Sequence, residues 1–433
     1  MEKIEQFFKF KELQTDIKTE VMAGVTTFAA LAYIMVVNPM ILSKAGMPFE
    51  ATSAVTIYMA FIGCMLMGFI GNKPFAIAPM LAENAFLVST IVHQFGYTWQ
   101  QAFGAVAISA VILFLLTVLN IRIWLVNSIP ACIKYAFTAG LGLYLTFIGL
   151  HSSDIVKTTE DGLFIGNFSD INAVLTLTGV LVIAVLMVRG FKLSMLTGLI
   201  VVTILSVIFG HTHLPAQFLS APSDISPLLF KADILGMLNP KAVPIIFIIL
   251  VVMFFDTMGS MLGVAAKGGF LDKDGNLPDI KKAMISDSSA TVIAASMSAI
   301  TTGVYLESTT GVLAGGKSGL TAVTVGVLFL SGLFLSPVFA IIPSAACNAV
   351  LIVIGTLMIS VIREIRFEDM TECVPAAMVV FLMTFSANIG IAVASGFILY
   401  PILKIIAGKK NELNVPVWIL FVISCLFFVF YKF

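Results

Sequence analysis

The sequence predicts an all-α polytopic membrane protein whose fourteen spans form a seven-plus-seven inverted repeat. Its 433 residues are 59% hydrophobic and only 11% charged, with a mean hydropathy of +1.06, whereas a soluble protein carries about 25% charged residues. Apolar runs of about twenty residues recur from Val21 to the end of the chain, and each is long enough to cross a hydrocarbon core about 30 Å thick. Carboxylates also lie inside apolar stretches, where a charge costs about 2.5–3.5 kcal/mol, and they indicate a buried polar site.

The elements follow from these apolar runs in chain order. Residues 1–20 are too charged for a signal peptide and are expected to form an amphipathic stretch along the cytoplasmic surface. The spans are predicted at 21–41, 51–70, 75–92, 102–121, 130–150, 171–188, 193–210, 244–265, 281–300, 302–314, 318–335, 338–360, 373–387 and 389–406. The last apolar stretch, 417–433, is either a further crossing or a helix lying in the interface.

The charges between the spans predict the orientation. Loops on the N-terminal side hold nineteen lysines and arginines, and the opposite loops hold four, Lys44, Lys157, Lys231 and Lys241. Such a bias places the N-terminus in the cytoplasm, and a multi-pass location in the cytoplasmic membrane is expected. It also supports the two weakest spans, 75–92 and 302–314, because leaving out either would scramble the pattern.

The third and tenth spans are predicted to be interrupted. One opens with PFAIAP, where Pro74 and Pro79 are costly inside a helix, and the other begins TTGVY. Both are expected to be half-helical after a short extended stretch, and interrupted spans at matching places in two halves point to a transporter's binding site. Spans five and twelve both begin Ile-Pro followed by small residues, from Ile129 and Ile342. Both pairs of features are seven spans apart. Because a repeat unit with an odd number of crossings places its second copy upside down in the bilayer, the second half is predicted to be inverted.

Three acids and their neighbours are the candidate site. Glu83-Asn84 and Glu307-Ser308 are expected to start the half-helices, whose N-termini offer unpaired N–H groups. Asp256 shares a helix face with glycines at i+3 and i+7, which indicates an interior position. Together these groups suit a flat, neutral heterocycle with donors and acceptors, and they could take up protons. For any single acid, a structural hydrogen-bonding role remains an alternative.

Other polar and aromatic residues are assigned more local roles. Asp287 is interpreted as a capping or loop carboxylate at the start of span nine. Asn38 either caps the end of the first span or lines the pocket. Phe28, Phe86 and Tyr305 are placed where a ring could stack on a substrate.

No metal, cofactor or enzyme chemistry is expected. The five cysteines are scattered without a CxxC pair and suit packing. His211 and His213 fall in a loop with no further candidate ligand close in sequence. The spans contain neither HExxH nor a Ser/His or Cys/His constellation, so the chain is predicted not to be an enzyme.

At these motifs the chain resembles the purine permease branch of the nucleobase/cation symporters, the hypoxanthine, guanine and adenine permeases. The likeness runs nearly end to end and includes FFKFKELQTDIKTEVMAGVTTFAALAYIMVVNP, FFDTMGSMLGV, YLESTTGVLAGGKSGLTAV and IPSAACNAVLIVIGTLM. It implies the fold shared with uracil and anion transporters. That fold divides the chain into a core domain (21–121 and 244–335), a gate domain (130–210 and 336–406) and a C-terminal apolar segment (407–433).

The resemblance also implies proton-coupled uptake by an elevator-like movement of the core against the gate. Carried over by motif, Asp256 and Glu307 would handle substrate and protons, with Asn84 lining the pocket. Where familiar members usually read APGMGLNAFF, this chain reads APMLAENAFL. Glu83 therefore replaces an apolar residue and adds a carboxylate that would bear on proton coupling or on the choice of purine.

The partners expected are a purine nucleobase, H⁺, the lipid bilayer and, by analogy, a second copy in a homodimer, but no nucleic acid. Three alternatives stay open. The solute could be uracil, xanthine or an organic anion on the same fold, the coupling ion could be Na⁺, or the protein could be a receptor that binds without translocating.

Overall fold

The structure is a computed structural model that describes residues 2–159, 162–215, 217–272, 277–386 and 388–430. The side chains at 126–128, 256, 258, 259 and 430 lie outside this description. Within it the chain is mostly helical, and its four short strands form two separate antiparallel pairs.

The first half of the chain runs from the N-terminus to the long polar loop. Its elements are α1 (Glu2–Phe7), α2 (Phe10–Leu13), α3 (Ile17–Leu31), α4 (Ile34–Ser43), α5 (Phe49–Leu66), β1 (Ile77–Pro79), α6 (Leu81–Phe86), α7 (Trp99–Val118), α8 (Ile121–Ser128), α9 (Ala131–Ser152), β2 (Val156–Thr159), β3 (Gly162–Ile165), α10 (Ile171–Val188) and α11 (Ser194–Ile208). Helices α5 and α6 continue as π-helical stretches, Met67–Gly71 and Leu87–Gln94.

The second half follows the loop. Its elements are α12 (Val243–Lys267), α13 (Ile280–Ser296), β4 (Thr302–Val304), α14 (Ser308–Leu313), α15 (Gly319–Ser331), α16 (Ser336–Ala340), α17 (Ser344–Ile359), α18 (Met370–Phe385), α19 (Ile389–Ile406) and α20 (Val415–Phe430). Short 3₁₀ turns lie at Leu235–Met237, Pro240–Ala242, Gly332–Leu335, Ser360–Glu364 and Lys410–Glu412.

Many of these helices suit a bilayer by length and composition. Among the described residues, nine helical stretches are long and apolar enough to cross a membrane: Ile17–Ser43, Phe49–Gly71, Trp99–Val118, Ala131–Ser152, Ile171–Val188, Pro240–Lys267, Gly319–Ala340, Ser344–Glu364 and Ile389–Ile406. Shorter apolar helices cover Ser194–Ile208, Met370–Phe385 and Val415–Val429. The predicted class, a helical protein with many spans, is confirmed at this level.

Strands β1 and β4 lie at the two predicted interruptions. They pair antiparallel, with Ala78 opposite Gly303 at the centre, and every residue in both strands is buried. A helix follows each strand, α6 from Leu81 and α14 from Ser308. The expected start of the first half-helix at Glu83 is therefore two residues late, because the helix begins directly after the extended Met80.

Helices α9 and α17 cross at a pair of glycines. A Cβ on Gly142 would lie 2.6 Å from the carbonyl oxygen of Gly355, and a Cβ on Gly355 would clash with the carbonyl oxygen of Gly142. Each glycine is the thirteenth residue after the isoleucine of an Ile-Pro motif, Ile129 and Ile342. The backbones of these two helices thus meet at the same distance from their Ile-Pro motifs.

The N-terminal segment packs against the protein. Phe8 and Phe10 are buried, and the ring of Phe7 contacts Phe69 edge to face at 5.9 Å. Glu20 is fully buried, and its carboxylate accepts the N–H of Lys317 at 2.9 Å and further donors at the start of α15. This carboxylate therefore holds the start of α15 against the first turn of α3.

Candidate functional site

The paired strands bring the two half-helices to one place. The N–H of Met80 donates to the carbonyl of Thr301, and the N–H of Tyr305 donates to the carbonyl of Ala76, each at 3.0 Å. The N–H of Ala76 donates to the Ser308 hydroxyl oxygen at 2.9 Å. Ser308 therefore fixes the crossing of the two segments. Non-helical backbone at membrane depth is tolerated only where protein satisfies it, and these bonds do so.

Glu307 directly precedes α14, and its carboxylate is held by a tyrosine from the first span. The residue is half-buried, and its Oε1 accepts a hydrogen bond from the hydroxyl of Tyr33 at 2.6 Å. This length is typical of a hydroxyl that donates to a carboxylate. Sequence reasoning missed Tyr33. The available signal was a tyrosine within the apolar LAYIMVV run of the first span.

Asn84 lies in a buried chain of amides and hydroxyls. Its Nδ2 donates to Asn38 Oδ1, and Asn38 Nδ2 donates to Thr56 Oγ1 at 2.8 Å. Its own Oδ1 has no hydrogen-bond partner among the described residues, although Asn84 is fully buried. Because Asn38 lies inside α4 rather than at a helix end, the capping alternative for it is wrong. Asn38 instead orients the Asn84 amide.

Glu83 accompanies Asn84 in the first turn of α6. It is the third residue of that helix and only 3% exposed. A negative charge near a helix N-terminus is favoured by the exposed N–H groups and the helix dipole. Glu83 and Glu307 thus lie at the beginnings of the two half-helices that follow the paired strands.

The aromatic candidates have defined contacts. The Tyr305 hydroxyl donates to the carbonyl of Pro79 at 2.5 Å, so Tyr305 braces β1 from the end of β4. Phe28 is half-buried and meets Phe329 of α15 edge to face at 5.2 Å. Phe86 is buried in α6.

Asp256 belongs to α12, but its side chain lies outside the described residues. Its neighbours show where the helix runs. Thr257 Oγ1 lies against Gly303 in β4, 3.0 Å from where a Cβ on that glycine would be. The ring of Phe255 stacks on Phe137 of α9 at 5.0 Å. Position 256 is therefore flanked by residues that contact the paired strands and α9.

Asp287 is not a capping or loop carboxylate, and that interpretation is wrong. It lies inside α13, fully buried, and its Oδ2 is 3.1 Å from Nη1 of Arg122, which is also fully buried. Its Oδ1 accepts from Thr257 Oγ1 at 3.4 Å. The polar KKAMISDSSA run looked like a helix start, but the small side chains around Asp287 let α13 pack inside the protein. A buried carboxylate then requires a cation.

The site offers hydrogen-bonding groups. Within the described residues, no three His, Cys, Asp or Glu side chains come close enough to hold a metal ion. The groups at the strands are the Glu307 carboxylate, which accepts a hydrogen bond from Tyr33, the buried Glu83 carboxylate and the Asn84 carboxamide. They are suited to binding a small polar solute through donors and acceptors at membrane depth.

Comparisons with known proteins connect this arrangement to transport. A family model described as "Permease family" matches residues 18–399. The chain is 36% identical to the adenine permease AdeQ of Escherichia coli over 96% of its own length and 93% of the relative's. It is also 36% identical to the guanine/hypoxanthine permease PbuO of Bacillus subtilis, over 98% and 99%. A putative permease of Methanocaldococcus jannaschii is 37% identical over 99% of both chains.

Solved structures share the fold at low sequence identity. The transmembrane domain of the cyanobacterial bicarbonate transporter BicA superposes with a TM-score of 0.65 at 16% identity, covering 88% of this chain and 97% of that one. A structure of SLC26A9 superposes with a TM-score of 0.57 at 14% identity, covering 89% of this chain and 66% of that one.

Proposed function

Because the chain belongs to the permease family, with relatives named for adenine and for guanine and hypoxanthine, we propose that it imports a purine nucleobase together with protons. The chain is a membrane transporter and not an enzyme, since its relatives are permeases. The observation that carries the purine assignment is the near full-length likeness to permeases named for purines. The carboxylates and carboxamide at the paired strands support it, because a purine presents donors and acceptors around its rim.

Protonation provides the coupling in this proposal. One of the three acids, Glu83, Asp256 or Glu307, takes up a proton from outside, and the purine then hydrogen-bonds to the site. A protonated carboxyl costs much less at membrane depth than a carboxylate. A site that holds both a proton and a purine is therefore easier to move than a site that holds a purine beside a charged carboxylate. Asn84 and Ser308 complete the site, and Tyr305 and Phe28 flank it.

The movement is an elevator-like displacement of the core domain against the gate domain, within fourteen spans arranged as an inverted repeat. Two contacts support this arrangement. The antiparallel pairing of β1 with β4 and the mutual approach of Gly142 and Gly355 each join matching elements of the two halves. Both contacts are reciprocal, as expected around a two-fold axis in the membrane plane.

The proposed location is the cytoplasmic membrane, with the N-terminus in the cytoplasm. The excess of lysine and arginine in the loops on the N-terminal side supports this orientation. A homodimer through the gate domain is proposed by analogy only. Two other functions share the fold: symport of uracil, xanthine or an organic anion, and binding without translocation.

Uptake into proteoliposomes tests the proposal. With an imposed inward proton gradient, radiolabelled adenine, guanine or hypoxanthine is expected to accumulate, and a protonophore should abolish the accumulation. A sodium gradient alone should have no effect. Competition by unlabelled uracil or xanthine that exceeds competition by adenine, guanine and hypoxanthine would move the assignment to another solute. Binding without accumulation would indicate a receptor.

Tyr33→Phe is expected to reduce purine uptake about tenfold at low purine concentration. The substitution removes the donor that orients Glu307. A hydrogen bond to a charged group contributes about 1.5–3 kcal/mol, and about 1.4 kcal/mol corresponds to a factor of ten. Initial uptake rates against purine concentration measure the effect. Tyr58→Phe in α5 is a matched control, and equal uptake by both variants would contradict a positioning role for Tyr33.

A further inference from the structure

A buried ion pair ties the connector between the two proposed domains to the core. Helix α8 follows α7 at the end of the first core segment and precedes α9 of the gate, and it contacts α7, α12 and α20. Arg122 projects from α8 and pairs with Asp287 of α13, 165 residues further along the chain. Neither side chain is more than 1% exposed.

The pair is not built for stability alone. A buried pair stabilises a protein only when its geometry is good and its remaining polar atoms are satisfied. Here Nε and Nη2 of Arg122 have no hydrogen-bond partner among the described residues. Apolar side chains of similar size would fill the same space without that penalty. The charges therefore point to a role in placing the connector.

Asp287 also reaches the site. Its second oxygen accepts from Thr257, the residue that follows Asp256, and the Thr257 hydroxyl lies against Gly303 of β4. A continuous line of contacts thus runs from β4 through Thr257 and Asp287 to Arg122. Each of its members lies on a different element: β4, α12, α13 and α8.

We propose that Arg122 and Asp287 are a positioning pair that fixes the core-to-gate connector relative to the substrate site, so that the pair governs translocation rather than binding. The inference rests on the proposed transport function. When the core moves, the connector has to change its angle, and the ion pair determines where it is held on the core side. Neither residue contacts the substrate in this proposal.

The test separates binding from movement in the full-length protein. Arg122→Met combined with Asp287→Asn removes both charges, and the new amide keeps an acceptor for Thr257. We expect purine affinity within about twofold of wild type and a maximal uptake rate at least about tenfold lower. The matched control is Lys282→Met with Asp279→Asn, which removes an exposed ion pair at the start of the same helix, where the two charges are 3.8 Å apart. It should leave both quantities unchanged.

Two results would overturn the inference. One is a wild-type maximal rate in the neutral double variant, and the other is a loss of affinity that accounts for the slower uptake. If the double variant does not fold, Arg122→Lys decides. This variant keeps the charge but not the reach or planar shape of arginine, and an unchanged maximal rate would again overturn the proposal. Failure of the transport function itself would show differently, as no purine uptake by the wild-type protein.

Discussion

Glu307→Gln is expected to abolish purine accumulation driven by a pH gradient while leaving the protein folded. Glutamine has nearly the same shape, and its carbonyl oxygen can still accept the hydrogen bond that Tyr33 donates at 2.6 Å. Glutamine cannot take up a proton, so the proton gradient can no longer drive purine accumulation. For one proton per purine, each pH unit supplies about 1.4 kcal/mol, or about tenfold accumulation. The variant should reach only equal concentrations on both sides.

Proteoliposomes with an imposed inward proton gradient measure this effect through the ratio of internal to external purine. Glu50→Gln, an exposed residue in the first turn of α5, is the matched control and should accumulate purine as the wild type does. Thermal stability in detergent should be similar for all three proteins. Full accumulation by the Glu307 variant would assign proton coupling to another acid, with Glu83 the next to test.

Gly142→Ala is expected to lower the free energy of unfolding, and by more than any of the other substitutions. The added methyl group would lie 2.6 Å from the carbonyl oxygen of Gly355 and equally close to Cβ of Met358. Backbone atoms cannot turn aside as a flexible side chain can, so α9 and α17 must separate. Overpacking of this kind costs about 1–3 kcal/mol, although alanine is otherwise the better helix former by about 1 kcal/mol.

Thermal unfolding in detergent and the yield of folded protein measure the change. Gly263→Ala is the matched control, because a Cβ there would meet only the end of the Leu306 side chain, at 3.3 Å. Its stability should equal or exceed that of the wild type. If Gly142→Ala were as stable as the control, the close crossing of α9 and α17 would not contribute to the fold as described.

The helices and the polar site were predictable for different reasons. Long apolar runs identify spanning helices because the bilayer requires them. Pro74 and Pro79 signalled the interruption at β1 because proline breaks a helix interior. Glu83 and Glu307 stood out as acids in apolar surroundings. Each of these signals is local, and a single segment of sequence contains it in full.

The missed features depend on contacts between distant segments. Tyr33 gains its role from Glu307, and Arg122 gains its role from Asp287. Apolar periodicity records which face of a helix is buried, but it does not say which charges meet across the chain. Asp287 was misassigned for this reason. Its polar neighbours resemble a helix start. Only the position of α8 shows that Arg122 lies beside Asp287 in the interior.

The pairing of β1 with β4 also has a consequence for synthesis in the cell. Ala78 and its partner Gly303 are separated by most of the chain. At about 5–20 residues per second, the second strand leaves the ribosome roughly 10–45 s after the first. During that time β1 and α6, with the carboxylate of Glu83 and the amide of Asn84, are without β4 beside them. The backbone pairing of β1 therefore cannot be completed by its own segment, and a ribosome that stops before residue 302 should leave a chain that quality-control proteases degrade.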